Sequence, residues 1–286
     1  MTIASIEKVF VEDLTSLYGA EEAGSIAWLV IGFVCKINRS QYLNNKYDDL
    51  SSEELAIFYN MLSELKKGVP VQYLLGETEF YGSVFKVNPS VLIPRPETEE
   101  LVDWILKDIK ADKSGYEGLK MLDIGTGSGC IPVTIKKYVP GLEVYAVDVS
   151  VDALAIAEEN ARLNNIEIDF IQDDMLKPVA DWDKFSIITS NPPYVTLAEK
   201  EQMHVNVLEH EPHLALFVPD NDPLIFYKAI AAFADRHLES SGLLYLEINE
   251  NLGQETVSLL KSSGFKDIHL RQDLRDRDRM IKARKR

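Results

Sequence analysis

Apolar positions in the first 75 residues recur at helical spacing. Ile6, Phe10, Leu14 and Leu17 predict one helix and residues 26–34 a second. Leu55, Phe58, Leu62 and Leu65 predict a third, opened by Ser51-Ser52-Glu53-Glu54 and stopped by Lys66-Lys67-Gly68-Val69-Pro70. The uncharged stretch from Ala23 to Cys35 is too short to span a bilayer and reads as a buried core helix. Then Phe80-Tyr81-Gly82-Ser83-Val84-Phe85-Lys86-Val87 alternates as a hairpin does. From residue 97 a helix carrying Leu101, Val102, Ile105, Leu106 and Ile109 leads into strands at 120–124, 143–147, 167–171, 185–190 and 242–248, with a helix at 153–164. Two further strands are expected at 267–271 and 279–283. Regular alternation of strand and helix predicts an α/β fold with a doubly wound, mostly parallel seven-stranded sheet. The expected division is a helical domain over 1–75, a hairpin linker over 76–96 and a catalytic domain over 97–286.

The first strand ends in Asp123-Ile124-Gly125-Thr126-Gly127-Ser128-Gly129, and a helix follows. Glycines let a ligand approach the backbone, and the helix start offers free N–H groups. No Lys-Ser or Lys-Thr follows, so this is not a phosphate-gripping loop. Asp123 repels a pyrophosphate but suits a ligand bearing an ammonium group. The second strand runs into Asp148, placed to take the hydroxyls of an unphosphorylated ribose. After the third strand, Gln172-Asp173-Asp174-Met175 offers Asp174 to an adenine amino group and Met175 to the ring. A ligand with ammonium, ribose and adenine is S-adenosylmethionine, whose product is S-adenosylhomocysteine.

The fourth strand is followed by Asn191-Pro192-Pro193-Tyr194. Two prolines fix a stiff turn at the carboxyl end of a buried strand, where ligands bind in open α/β sheets. An amide oxygen, the Pro192 carbonyl and the Tyr194 ring suit a planar NH2 group, either a carboxamide or an exocyclic base amine. The four residues are read as the substrate-binding turn, with Asn191, Pro192 and Tyr194 catalytic and Asn191 also beside the cofactor. In-line methyl transfer is mainly a matter of placing the nucleophile, so no catalytic histidine is expected.

Composition changes this picture in three ways. A formal net charge of −16 argues against extensive contact with nucleic-acid phosphates. A local basic end, residues 271–286, carries eight basic and three acidic side chains and reads as a last strand with a solvated tail. Cys35 and Cys130 stand far apart in apolar contexts and read as buried free thiols, without metal-ligand spacing. The N-terminus lacks the basic region of a signal peptide, so a cytoplasmic protein without a membrane partner is expected.

The glycine loop and Asn-Pro-Pro-Tyr together resemble class I S-adenosylmethionine-dependent amino-methyltransferases. Val91-Leu92-Ile93-Pro94-Arg95-Pro96-Glu97-Thr98-Glu99-Glu100-Leu101-Val102, with residues 70–76 and Phe80-Tyr81-Gly82 ahead of it, is similar to the HemK/PrmC family, the release factor glutamine methyltransferases. Glu211-Pro212, Ala215-Leu216, Glu247-Ile248, Gln254, Asp273-Leu274 and residues 277–279 extend the resemblance to the end of the chain. It implies a class I methyltransferase fold behind a small helical substrate-recognition domain. It implies methyl transfer to the glutamine amide of the Gly-Gly-Gln loop in class I peptide chain release factors, bearing on translation termination. By the same resemblance, residues 125–129, Asp148 and Met175 contact the cofactor, and residues 191–194 hold the glutamine. Arg95 reads as part of a rigid helix entry or as a partner for the cofactor side or the substrate loop. Two alternatives stand beside this. A nucleic-acid amino-methyltransferase needs a phosphate-tracking basic surface, and a non-catalytic cofactor sensor would show a damaged loop or tetrapeptide.

Overall fold

The computed structural model describes residues 1–111 and 118–286, apart from the side chain of Gln202. Contacts divide the described chain into two compact units. One holds residues 1–77 with 204–210, and the other 78–203 with 211–286.

The first unit is helical: α1 (Ile3–Tyr18), α2 (Ala20–Cys35), α3 (Arg39–Asn45), α4 (Ser52–Leu65) and α5 (Val71–Leu75). Ser51 and Glu54 form a reciprocal capping box that starts α4, as their spacing predicts. Asn38 and Gln41 do the same for α3, a short helix without an apolar stripe to announce it. Phe10, Leu14, Ala27, Val30, Phe58 and Leu65 close a core around which the helices pack. α2 is not buried all round. Ala23, Ile26, Ala27, Val30 and Ile31 face that core, whereas Leu29 and Phe33 stand 46% and 45% exposed on the opposite side. Cys35, at the end of this helix, is likewise only half-buried. Residues 204–210 join this unit: His204 stacks on Tyr18 at 5.7 Å and bonds the Leu17 carbonyl at 3.2 Å.

The second unit opens with strand β1 (Glu77–Phe80), from its second residue on, and β2 (Ser83–Lys86). Tyr81 and Gly82 both take positive φ, 49° and 69°, the requirement of a tight two-residue hairpin turn. Then follow α6 (Pro96–Ala111), β3 (Lys120–Ile124), α7 (Cys130–Tyr138), β4 (Glu143–Asp148), α8 (Val151–Leu163), β5 (Asp169–Gln172) and β6 (Phe185–Ser190). Short β7 (Val195–Thr196) pairs with β8 (Phe217–Val218), with α9 (Val205–His210) between them in sequence. The chain ends with α10 (Ile225–His237), β9 (Leu238–Glu247), α11 (Gly253–Ser262), β10 (Lys266–Gln272) and β11 (Asp278–Arg284).

Seven strands form one sheet in the order β10-β11-β9-β6-β3-β4-β5. Neighbours from β9 to β5 are parallel, and β11 alone is reversed. Both faces are covered, which is why these strands read as continuous apolar runs. Met121, Val144, Ile187, Tyr245 and Met280 point into a core with α6 and α7. The intervening Leu122, Val147, Ile188, Leu244 and Ile281 point into a second core with Tyr227, Ile230 and Phe233 of α10 and Leu260 of α11. β5 starts two residues later than the apolar run suggests, because Asp169 is the first residue to pair with Tyr145. β9 starts earlier than expected, at Leu238, which pairs with Phe185 across an irregularity.

Part of the basic end is paired in place: Arg277 and Arg279 with Glu250, Arg279 also with Asp273, Lys282 with Asp108, and Arg284 with Asp267. One buried side chain ties three elements together. Asn160 of α8 accepts from the Lys86 N–H at 2.6 Å and donates to the Lys86 and Ser128 carbonyls, both at 2.9 Å. Asn160→Ala strands these groups inside the protein, so a loss of about 2–4 kcal/mol in unfolding free energy is expected from urea denaturation. A loss under about 0.5 kcal/mol would show that these bonds are dispensable.

Candidate active site

Sheet register assembles the site. Ile124 of β3 lies opposite Val147 of β4 and Ser190 of β6, Asp148 opposite Gln172, and Ser190 opposite Leu246 of β9. One residue further on, Gly125, Asp148, Asn191 and Glu247 therefore share one edge, on strands about 4.8 Å apart. Residues between 23 and 66 positions apart in sequence become neighbours by pairing alone.

The glycine loop folds over the end of β4. Gly125 and Thr126 both donate to the Val147 carbonyl, at 2.8 and 3.0 Å, and Gly127 donates to Asp148 Oδ2 at 2.9 Å. Gly125, Gly127 and Gly129 all have left-handed φ, between 55° and 77°. Gly129 has a second constraint, because a Cβ there would lie 3.1 Å from the Ala157 Cβ of α8. Ser128 is buried and its carbonyl is held by Asn160. Asp148 Oδ1 accepts from Ser150, so each carboxylate oxygen keeps a lone pair for a further donor. Burial holds the Asp148 carboxyl above its ordinary value, against the N–H groups of Ser150 and Gly127.

Asp123 is wholly buried, and neither of its oxygens has a hydrogen-bond partner among the described residues; the buried Thr126 hydroxyl also lacks one. Burial pushes its carboxyl up to about 7; the nearby Thr126 hydroxyl opposes the shift and the Asp148 charge adds to it. Asp173 is the opposite case. It is buried too, but it accepts from the backbone N–H groups of Asp174, Val179 and Ala180 and from Trp182 Nε1. Burial opposes ionisation there, and those donors outweigh it and hold the carboxyl low. Asp173 is thus used up in shaping its loop, while Asp174 is exposed beside it and its carboxylate accepts from the Leu176 N–H. Met175 turns into the core beneath the sheet and keeps 8% of its surface accessible.

The tetrapeptide is held at both ends. Asn191 Nδ2 donates to Thr98 Oγ1 at 3.2 Å, and the Tyr194 hydroxyl donates to Glu247 Oε1 at 3.1 Å. The Tyr194 carbonyl accepts from Asn249, itself anchored on Glu199. Among the described residues no donor reaches Asn191 Oδ1 or the Pro192 carbonyl. Two acceptors are thereby left beside a half-buried aromatic ring. Burial and the Glu247 charge push the Tyr194 hydroxyl far above its ordinary value, so it stays a donor. Thr98, Glu247, Asn249 and Glu199 are not among the residues singled out as site residues from sequence. For Glu247 the signal is an acid at the end of a run, Leu243-Leu244-Tyr245-Leu246, that is otherwise apolar. Among the described residues Arg95 makes no hydrogen bond to the glycine loop or the tetrapeptide; it pairs with buried Glu211 at 2.5 Å, which also accepts from the Ile93 N–H.

An unpartnered buried acid leaves a pH signature. With its folded value raised from 3.8 to about 7, Asp123 stabilises the ligand-free fold most at low pH and loses that contribution as pH rises through 7. The stability of the protein relative to Asp123→Asn, measured by urea denaturation from acid to neutral pH, is expected to fall with rising pH and then level off. A difference that stays constant with pH would contradict the assignment.

Residues 103–214 match the family model described as Methyltransferase small domain, and residues 12–76 the one described as PrmC N-terminal domain. A release factor glutamine methyltransferase of Flavobacterium psychrophilum is 45% identical over 99% of both chains. Its counterpart in Bacteroides thetaiotaomicron is 38% identical over 95% of this chain and 96% of its own. Among solved structures, a methyltransferase from Pyrococcus furiosus covers 82% of this chain and 99% of its own, with TM-score 0.52 and 16% identity. The T. thermophilus 16S rRNA N2 G1207 methyltransferase, solved with AdoMet and guanosine, covers 73% of this chain and 50% of its own, with TM-score 0.54 and 18% identity. These two likenesses bear on the fold alone, a class I methyltransferase fold. Full-length identity to its named relatives, with both family models matched in order, makes this chain a member of the release factor glutamine methyltransferase family.

Proposed function

We propose that this chain transfers a methyl group from S-adenosylmethionine to the side-chain amide nitrogen of the glutamine in the Gly-Gly-Gln loop of class I peptide chain release factors, acting in the cytoplasm. The observation that carries this is the pair of free acceptors, Asn191 Oδ1 and the Pro192 carbonyl, beside the Tyr194 ring and one strand from the glycine loop. A primary amide has two N–H groups and a flat face, which that set matches. The choice of an amide over a base amine rests on the names of the full-length relatives and on the net charge of −16. The helical unit is proposed as the part that recognises the release factor. Among the described residues no helix is long and apolar enough to cross a membrane.

The residues at the strand ends fit the cofactor. Asp123 has two unsatisfied oxygens and suits an ammonium group; the Thr126 hydroxyl beside it is free as well. Asp148 has lone pairs for ribose hydroxyls, exposed Asp174 suits an adenine amino group, and accessible backbone at Gly125 and Gly127 leaves room, since a Cβ at either would meet nothing within 4 Å. S-adenosylmethionine supplies, when bound, a methyl group on a positively charged sulfur that is open to in-line displacement.

The rest falls to the protein. An amide nitrogen is a poor nucleophile because its lone pair is delocalised into the carbonyl. Hydrogen bonds from its two N–H groups to Asn191 Oδ1 and the Pro192 carbonyl favour a pyramidal nitrogen and aim the lone pair. As the new C–N bond forms, positive charge grows on nitrogen and those bonds strengthen, so they stabilise the transition state more than the ground state. The proton leaves to water after transfer, and no histidine is needed.

The test is labelled methyl transfer to a purified release factor, with a loop Gln→Ala variant and duplex DNA as controls. Label on DNA, or on the loop variant, would overturn the reading. Asn191→Ala is expected to keep its fold and cofactor affinity while turnover drops about 10²–10³-fold, the scale of losing one preorganised polar partner. Turnover close to wild type in that variant would remove Asn191 from the mechanism.

A further inference from the structure

The usefulness of Asn191 depends on which end of its amide faces the site. The two ends are nearly equal in size, so packing discriminates them weakly, and a neighbour of fixed polarity must decide. That neighbour is Thr98, in the first turn of α6. Its hydroxyl has a single proton, and this proton goes to Glu247 Oε2 at 2.7 Å. Thr98 Oγ1 can then only accept, so the Asn191 end facing it at 3.2 Å is the NH2 group. The carbonyl end is left for the site. The other Glu247 oxygen, Oε1, takes the Tyr194 hydroxyl. Thr98 and Glu247 are 2% and 1% exposed and lie on different elements, 149 positions apart. Burial of an acid among apolar strands is costly, and here its two oxygens serve the two side chains that frame the substrate amide.

We propose that Thr98 and Glu247 are positioning residues. A buried relay from Glu247 through Thr98 fixes the flip of the Asn191 amide with Oδ1 toward the substrate, while the second arm of the same carboxylate holds the Tyr194 ring. The inference rests on the role given to Asn191 above. Without the relay, Asn191 turns its NH2 group into the site in part of the molecules, where it meets the donors of the substrate amide instead of accepting from them.

Thr98→Val keeps the side-chain shape and removes the acceptor; Thr98→Ala replaces it should the valine variant not fold. The kcat for glutamine methylation is expected to fall about 10- to 100-fold with cofactor affinity within about twofold, and Thr98→Ser to recover kcat to within about threefold of wild type. In an Asn191→Ala background the Thr98 substitution is expected to have no further effect, because the group it positions is gone. A merely structural role would lower kcat by the same factor in both backgrounds, and that result overturns the proposal. An arm independent of activity is the side-chain amide signal of Asn191 in a ¹H–¹⁵N NMR spectrum, identified by its absence in Asn191→Ala. It is expected to shift and exchange faster in Thr98→Val but not in Thr98→Ser; an unchanged signal in Thr98→Val also overturns the proposal. A wild-type protein that labels no release factor would sink the proposed function, and the NMR arm would still decide the relay.

Discussion

In-register pairing of four parallel strands, β4-β3-β6-β9, is the constraint on which everything else in the second unit depends. Each strand ends at the same level, so the residue following each pairing is delivered to one edge. A slip of one residue in any of them would exchange the faces of every side chain on that strand. It would move Met121 and Leu122 into each other's cores and also displace the glycine loop, Asn191 or Glu247 from the common line. Core and site are thus specified by the same register. Apolar burial at about 1.5–3 kcal/mol for each fully covered side chain makes that register costly to leave.

Buried acids at this edge fall into distinct kinds, told apart by their donors. Asp173 has four donors and is held ionised as the organiser of its loop. Glu247 has two hydroxyl donors, with the Arg279 charge helping, yet burial still raises its carboxyl. Asp123 has none among the described residues, and burial raises its carboxyl to about 7. A wholly buried carboxyl without partners is destabilising for the free protein. Only the donor set distinguishes these roles, since all three are acids close after or at the end of an apolar strand.

The family segment Pro94-Arg95-Pro96-Glu97-Thr98-Glu99 also acquires a physical account. Arg95 locks the segment onto Glu211, Pro96 starts the helix, Thr98 turns inward to Asn191 and Glu247, and Glu99 accepts from the Tyr81 N–H of the hairpin turn. Four residues of this segment thereby fasten the loop before β8, the helix, the site and the hairpin to one another.

Much of this is legible in the chain itself. Apolar period gives the seven strands of the main sheet in order and helices such as α1, α4 and α6, because a sheet covered on both faces needs runs such as residues 185–190 and helices need a stripe such as that of α6; α10 and α11 are not among the helices read from it. The glycine loop, Asp148 and Asn-Pro-Pro-Tyr are legible because backbone chemistry after a buried strand is local: glycines take left-handed φ, and prolines stiffen a turn. Elements without an apolar period, α3 and the β7–β8 pair, are not legible, nor is the membership of residues 204–210 in the helical unit. Hydrogen-bond partnership is the other blind spot. Only the folded chain decides that Asp173 is occupied and Asp123 is not, that Arg95 meets Glu211, and that Thr98 stands between Glu247 and Asn191. Apart from the donors of Asp173, which lie within nine residues of it, those facts belong to side chains far apart in sequence, and period and spacing carry no information about which of them folding will bring within hydrogen-bonding distance.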